Sequence, residues 1–328
     1  MIDAYLLKSK IITPILDFFT SFKTVIIKTA FAVFLFFILI TIFNVWLDVK
    51  WFDYESIIAS PKTAFRDAGF LGLFSANFYA MVFGIIPVAL LAIIFLLSRN
   101  IFKKDTFSKK TIYNFYLVVF IIFYYLASSA NLVSATVRYQ ILIYPLIFIL
   151  AGAGIYELIK LTSKENEKFF YWSSLALIIF SIISLFFIKP FYFSYASSFL
   201  PQKYVLNLKD MGDGSYEAAQ YLNQLDNAKN VTIWSDKKGV CLFFVGRCFV
   251  ERDPENIEIF DYLVLSSGRE SRTSRLISSR LVNGKLYSVR LDKLYADENA
   301  IYKLKIGNRP NNFVKIFSIS QVRKLIEQ

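Results

Sequence analysis

Five apolar stretches in the first 188 residues constrain this chain most: about Val25–Leu47, Phe78–Ser98, Thr111–Ala127, Tyr139–Ile159 and Phe169–Ile188. About 20 apolar residues at about 1.5 Å each cross a bilayer core of about 30 Å, so each run is long enough to be a spanning helix. The rest of the composition agrees. The chain is 56 % hydrophobic with 35 phenylalanines, too apolar for an ordinary soluble protein. The expected fold is therefore an α-helical multipass membrane domain of about five transmembrane helices, followed by a small extracytoplasmic α/β domain.

The net charge of +12 is distributed by membrane topology and does not form one nucleic-acid-binding face. Arg99, Lys103, Lys104, Lys109 and Lys110 crowd the loop after the second run, and Lys160, Lys164 and Lys168 follow the fourth. The positive-inside rule makes both loops cytoplasmic, and the lysine cluster at 103–110 is also suited to touch anionic lipid. The sign-balanced loop Asp48–Asn77 and the short loop Ser128–Arg138 then lie outside. Five crossings from a cytoplasmic N-terminus put the C-terminal part outside the plasma membrane. No nucleic-acid partner is expected.

Ahead of the first run, residues 1–24 carry apolar positions interleaved with Lys8, Lys10 and Lys23. That spacing suits an amphipathic interfacial helix, or equally the tail of a longer helix. The first run lacks a small-residue cleavage site and is expected to stay as a spanning helix. Pro87 and Pro145 fall inside expected spans, where a membrane tolerates a kink if neighbours satisfy the freed carbonyls.

After Lys189–Pro190 the pattern changes. An aromatic interfacial linker covers 189–211, and 212–328 reads as an extracytoplasmic α/β domain. Asp213 or Ser215 can cap a helix Tyr216–Leu225. Val231–Trp234, Val240–Val245, Cys248–Val250 and Tyr262–Leu265 read as strands, and Ser271–Ser279 as a short helix. Ala300–Ile306 and Phe313–Ile319 form an expected terminal hairpin about a Gly307–Asn312 turn. Cys241 and Cys248 either pair across a hairpin in an oxidising compartment or remain buried thiols.

The absence of histidine excludes histidine bases, His-based triads and histidine metal sites. Chemistry must come from carboxylates, Arg, Lys, Tyr or a bound metal. The fourth run opens on an arginine: R-Y-Q-I-L-I-Y-P-L-I-F-I-L-A-G-A-G-I at 138–155. Arg138 at a water–lipid boundary either snorkels as an anchor or holds a phosphate. Ala151–Gly154 is thin enough for a second helix to pack closely.

That stretch resembles a motif of GT-C type membrane glycosyltransferases that use polyprenyl-phosphate sugars, relatives of aminoarabinose transferase and the protein O-mannosyltransferases. There an Arg-Tyr pair opens a late spanning helix at the extracytoplasmic face. G-D-G-S-Y-E-A-A-Q-Y-L-N at 212–223, V-T-I-W-S-D at 231–236 and F-D-Y-L-V-L at 260–265 are similar to the outside domain of bacterial members. The resemblance implies Arg138 and Tyr139 as donor-phosphate contacts and a polyprenyl-phosphate-linked sugar as donor. Some relatives use a divalent metal at that step; others use Lys and Arg.

Relatives have more spanning helices, and their acidic motif follows the first of them. This chain is therefore expected to match only the back half of such an enzyme: either the gene is split or fragmentary, or a separate N-terminal catalytic chain supplies the front as partner. Asp53 and Glu55 in F-D-Y-E are the candidate catalytic carboxylates; the competing reading is a solvated loop over the cavity. A non-catalytic membrane-anchored glycan- or partner-binding protein is the rival function. Glu157 is expected to pair with Lys160, and Asn44 and Asn114 to hydrogen bond between helices. Arg269, Arg272 and Arg275 form either a solvated face or an acceptor-binding patch.

Overall fold

The computed structural model describes residues 2–49, 51–103, 108–163, 167–206, 212–250, 259–267, 281–282, 285–286, 300–307 and 309–326. The chain is mostly helical with a small mixed sheet, and it divides into two compact units. The first comprises Met1–Ile57, Pro61–Ala135 and Tyr139–Ile178; the second comprises Ile58–Ser60, Thr136–Arg138 and Ile179–Gln328.

The first unit is built from α1 (Ile2–Trp46), α2 (Tyr54–Ala59) as far as Ile57, α3 (Pro61–Phe83), α4 (Pro87–Phe102), α5 (Lys109–Ala130), α6 (Val137–Gln140) from Tyr139 on, α7 (Tyr144–Ser163) and α8 (Glu167–Phe186) as far as Ile178. Among the described residues, three stretches are long and apolar enough to cross a membrane: Ser21–Trp46, Lys109–Ala130 and Tyr144–Thr162. Pro87–Phe102 and Tyr171–Phe186 are shorter apolar helices in the regions expected as second and fifth spans. α1 runs unbroken through residue 24, where the sequence suggested a boundary between interfacial and spanning helices.

The two prolines act differently from the kinks expected of them. Helix α3 ends at Phe83 and α4 begins on Pro87, preceded by extended Ile86 (φ −65°, ψ 144°). Proline lacks the amide that would continue the ladder and forces its predecessor out of the helical region, so this helix is broken rather than kinked. Pro145 lies in the first turn of α7, where the missing amide is unneeded anyway.

Helix α1 packs on α3, α4 and α5, and α4 packs most extensively on α7. An aromatic seam holds α1 to α3 and α5: Phe37 stacks on Phe78 at 5.2 Å, and Phe78 meets Tyr125 edge-on at 5.1 Å. α4 and α7 touch at Gly154, one of the small residues singled out in the sequence. A β-carbon built on Gly154 would lie 2.1 Å from the Ala92 carbonyl oxygen.

The second unit carries α9 (Ser215–Asn223), α10 (Lys238–Phe243), α11 (Ile319–Ile326) and seven strands. These are β1 (Thr232–Ser235), β2 (Arg247–Val250), β3 (Tyr262–Ser266), β4 (Leu281–Val282), β5 (Lys285–Leu286), β6 (Tyr302–Ile306) and β7 (Arg309–Ser318). Five form a sheet in the order β2-β1-β3-β7-β6. β1 lies parallel to β2 and β3, while β7 is antiparallel to β3 and β6. Ile233, Val264, Val314 and Ile316 pack with Ala218, Ala219 and Leu222 of α9 in one buried core.

The expected strand Val240–Val245 is instead α10. Val240 and Phe244, four residues apart, both enter the core, and a short apolar run does not by itself distinguish helix from strand. The Cys241–Cys248 disulfide therefore ties α10 to β2, with a Cα–Cα distance of 5.2 Å, rather than two strands of a hairpin. Neither Asp213 nor Ser215 caps α9: the N-cap is Gly214 at φ 78°, in the left-handed region. The terminal hairpin turns more tightly than expected, about Gly307 at φ 61°. The expected helix Ser271–Ser279 and the arginines 269, 272 and 275 lie outside the described residues.

Candidate functional site

Arg138 and Tyr139 do not open the long helix. They sit on the four-residue helix α6, separated from α7 by a turn over 141–143. Both side chains are exposed, Tyr139 at 43 %, whereas Val137 and Gln140 on either side are buried. The turn closes through Ile143 N–H to the Gln140 carbonyl at 2.8 Å, and the Tyr124 hydroxyl donates to the Tyr139 carbonyl. The Arg-Tyr pair is thus presented outward on a backbone held from behind.

What holds it is a buried polar network. Gln140 is 1 % exposed and donates to Asn77 O at 3.2 Å and Asn77 Oδ1 at 3.3 Å. Its Oε1 accepts from the Tyr125 hydroxyl at 2.8 Å. Asn77 Nδ2 donates to Leu73 O at 3.0 Å and Ser129 Oγ at 3.2 Å, and Ser129 donates to Tyr125 O at 2.7 Å. Buried amides and hydroxyls persist in an apolar interior only when paired, so this set specifies how α3, α5 and α6 meet. Sequence reasoning did not mark Gln140; one amide beside an Arg-Tyr pair carries no periodic signal.

The neighbouring tyrosine has a packing role. Tyr144 donates to Ala80 O at 3.1 Å, and a β-carbon on Gly84 would lie 2.3 Å from its hydroxyl. The hydroxyl thus lies against the C-terminal end of α3, at a carbonyl that Gly84 N–H also reaches at 2.9 Å.

The acidic candidates lie in the first unit. Asp53 is exposed and precedes α2, and its carboxylate accepts from Ser56 N–H at 3.2 Å and Ser56 Oγ–H at 2.7 Å. That is the geometry of an N-cap. Glu55 follows in the first turn, half-buried. α2 is laid inward by Tyr54, whose hydroxyl shares hydrogen bonds with Ser75 at 2.8 Å and Thr41 at 3.4 Å. Burial pushes the Tyr54 phenol above its ordinary pKa, and the bonds to Ser75 and Thr41 pull against that shift.

Two further expectations are corrected by tertiary contacts. Glu157 pairs across helices, with Arg99 at 3.2 Å and Lys110 at 3.9 Å, and not with Lys160 on its own helix. Asn44 binds loop backbone: its amide donates to Phe52 O at 2.9 Å and accepts from Phe52 N–H at 3.1 Å. Asn114 is buried on α5.

In the second unit, Asp236 follows β1 and accepts from Ser266 N–H at 2.7 Å and Ser266 Oγ–H at 3.0 Å at the end of β3. Arg309, 4 % exposed, donates to the carbonyls of Leu200, Pro201 and Tyr204, anchoring 200–204 to the start of β7. Lys315, 2 % exposed, lies with its ammonium 4.1 Å from the Phe313 ring, and burial lowers its pKa. Among the described residues no group of three or more His, Cys, Asp or Glu side chains is arranged to hold a metal ion.

Comparison with protein families, with curated proteins and with solved structures finds no match for this chain.

Proposed function

We propose that this chain is the C-terminal portion of a membrane glycosyltransferase that moves a sugar from a polyprenyl-phosphate donor to an acceptor outside the plasma membrane. In this reading five helices cross the bilayer from a cytoplasmic N-terminus, the α/β unit is extracytoplasmic, and Arg138 with Tyr139 meets the donor phosphate. The carrying observation is the exposed Arg-Tyr pair on a short turn just ahead of an apolar span, its backbone braced by the buried Gln140 network. A guanidinium there offers a forked, permanently charged donor where a lipid-linked phosphate would present itself. Departure of the phosphate leaves negative charge that such a cation stabilises.

Within that scheme the general base that deprotonates the acceptor belongs to the separate N-terminal part. If that part uses a divalent metal, the metal adds charge stabilisation at the phosphate. Both carboxylate oxygens of Asp53 accept hydrogen bonds from Ser56, which suits this division of labour and equally the non-catalytic rival, a glycan- or partner-binding membrane protein. A carboxylate committed to a cap is poorly suited to act as the acceptor's base.

The test uses the full chain in lipid nanodiscs and a radiolabelled polyprenyl-phosphate sugar. Saturable binding is expected, with Arg138→Ala weakening it by about 1.5–3 kcal/mol, the scale of a hydrogen bond to a charged group. Arg138→Lys retains part of the affinity. Unchanged binding in Arg138→Ala overturns the site. Turnover by this chain alone overturns its dependence on a second part.

A further inference from the structure

Helices α4, α5 and α7 bring their charged ends to one point of the first unit. Arg99 in the last turn of α4 meets Glu157 of α7 at 3.2 Å, and Lys110 in the first turn of α5 reaches the same carboxylate at 3.9 Å. The Lys110 ammonium also lies 4.4 Å from the ring of Tyr156, itself 40 % exposed. Lys103 and Lys109 flank this group, both exposed, and Phe102 beside Lys103 is 83 % exposed. Among the described residues Glu157 is the carboxylate that pairs with Arg99 and Lys110, so cations are in excess here.

Two features make this more than a topogenic loop. Glu157 gathers Arg99 and Lys110 from two different helices, holding like charges together that would otherwise separate. The N-terminus of the 22-residue α5 lies here, so the positive end of its dipole adds to Lys109 and Lys110.

We infer that the α4–α5–α7 end of the first unit is a headgroup site for an anionic phospholipid. Lys103, Lys109 and Lys110 contact the phosphate, and Phe102 and Tyr156 sit against the acyl boundary. Charge complementarity carries the choice of occupant. α5 and α7 are two of the three helices long and apolar enough to cross a bilayer, so their charged ends meet water at the level of lipid phosphates. The exposed aromatics supply the amphipathic belt expected at that depth. This inference goes beyond glycosyl transfer and does not depend on it.

The test is native mass spectrometry of the full chain released from nanodiscs of mixed phosphatidylglycerol and phosphatidylcholine. Phosphatidylglycerol is expected to be retained preferentially, and Lys103→Gln/Lys109→Gln/Lys110→Gln to lower that preference by about fivefold per lysine. Lys229→Gln/Lys238→Gln/Lys305→Gln, which removes equal charge from the second unit, leaves it unchanged. If the first triple variant fails to fold by circular dichroism, Lys109→Gln alone is read, with the same expectation of about fivefold. Equal retention of the two lipids by the unaltered chain overturns the site, as does equal loss in both triple variants. Displacement of the lipid by inorganic phosphate at matched concentration shows a free-anion site and overturns the lipid assignment.

Discussion

Gly154 of α7 lies against the backbone of Ala92 in α4, so closely that a β-carbon on Gly154 would fall 2.1 Å from the Ala92 carbonyl oxygen. The backbones touch with nothing between them, the contact that small residues permit in membranes, where dispersion and close approach replace the hydrophobic effect. Gly152, two residues earlier, has nothing within 4 Å of its hypothetical β-carbon.

The pair makes an internal control. Gly154→Val must force α4 and α7 apart and is expected to cost about 1–3 kcal/mol or more. Gly152→Ala is expected to gain about 0.5–1 kcal/mol through helix propensity. Thermal unfolding in one detergent checks both, and equal melting temperatures for the two variants would contradict the packing.

Asp53 separates capping from catalysis. Asn caps a helix as well as Asp does, so Asp53→Asn is expected to leave stability within about 0.5 kcal/mol. Asp53→Ala loses the bonds to Ser56 and costs about 1 kcal/mol. If Asp53→Asn abolishes transfer in the assembled enzyme while leaving the melting temperature unchanged, Asp53 is a catalytic residue and not only a cap.

The disulfide joins residues seven apart and fixes α10 on the edge strand β2. Cys241→Ser/Cys248→Ser is expected to destabilise the second unit by about 2.5 kcal/mol, the chain-entropy value for so short a loop. Intact protein gains alkyl mass only after reduction. Two alkyl groups added before reduction would show free thiols.

Tyr195 gives the second unit an alkaline limit. Desolvation pushes its phenol from 10.0 up to about 12. Its folded pKa is raised, so the stability it contributes is complete below the unfolded value of 10.0 and is lost as pH rises toward 12. Tyr195→Phe is expected to flatten that alkaline loss, measured by denaturant unfolding across the window. An identical fall in the variant would assign the loss to other groups.

Hydropathy and charge made the apolar stretches and their basic ends legible in the sequence, and Ala151–Gly154 was readable as a close-packing surface. The α/β order after residue 212 was also largely legible, including the terminal hairpin. α10 was not: V-C-L-F-F-V satisfies strand and helix alike, and only burial of Val240 and Phe244 in one core separates the two. Nor were the partners of single polar residues. Local spacing offered Lys160 to Glu157, yet Arg99 and Lys110 occupy it from other helices.

By itself the sequence determined where the apolar stretches lie, because about 20 consecutive apolar residues have few other places to go; that Phe78–Ser98 is divided between α3 and α4 only the structure decided. It determined which ends carry cations and that no imidazole takes part. The tertiary structure alone decided that Arg138 stands on its own short turn, that Gln140, Asn77, Tyr125 and Ser129 brace that turn, and that Asp53 caps a helix. Periodicity is a property of neighbouring residues. The pairing of a buried amide or carboxylate depends on groups brought near it by folding, here as far as 63 positions away in sequence.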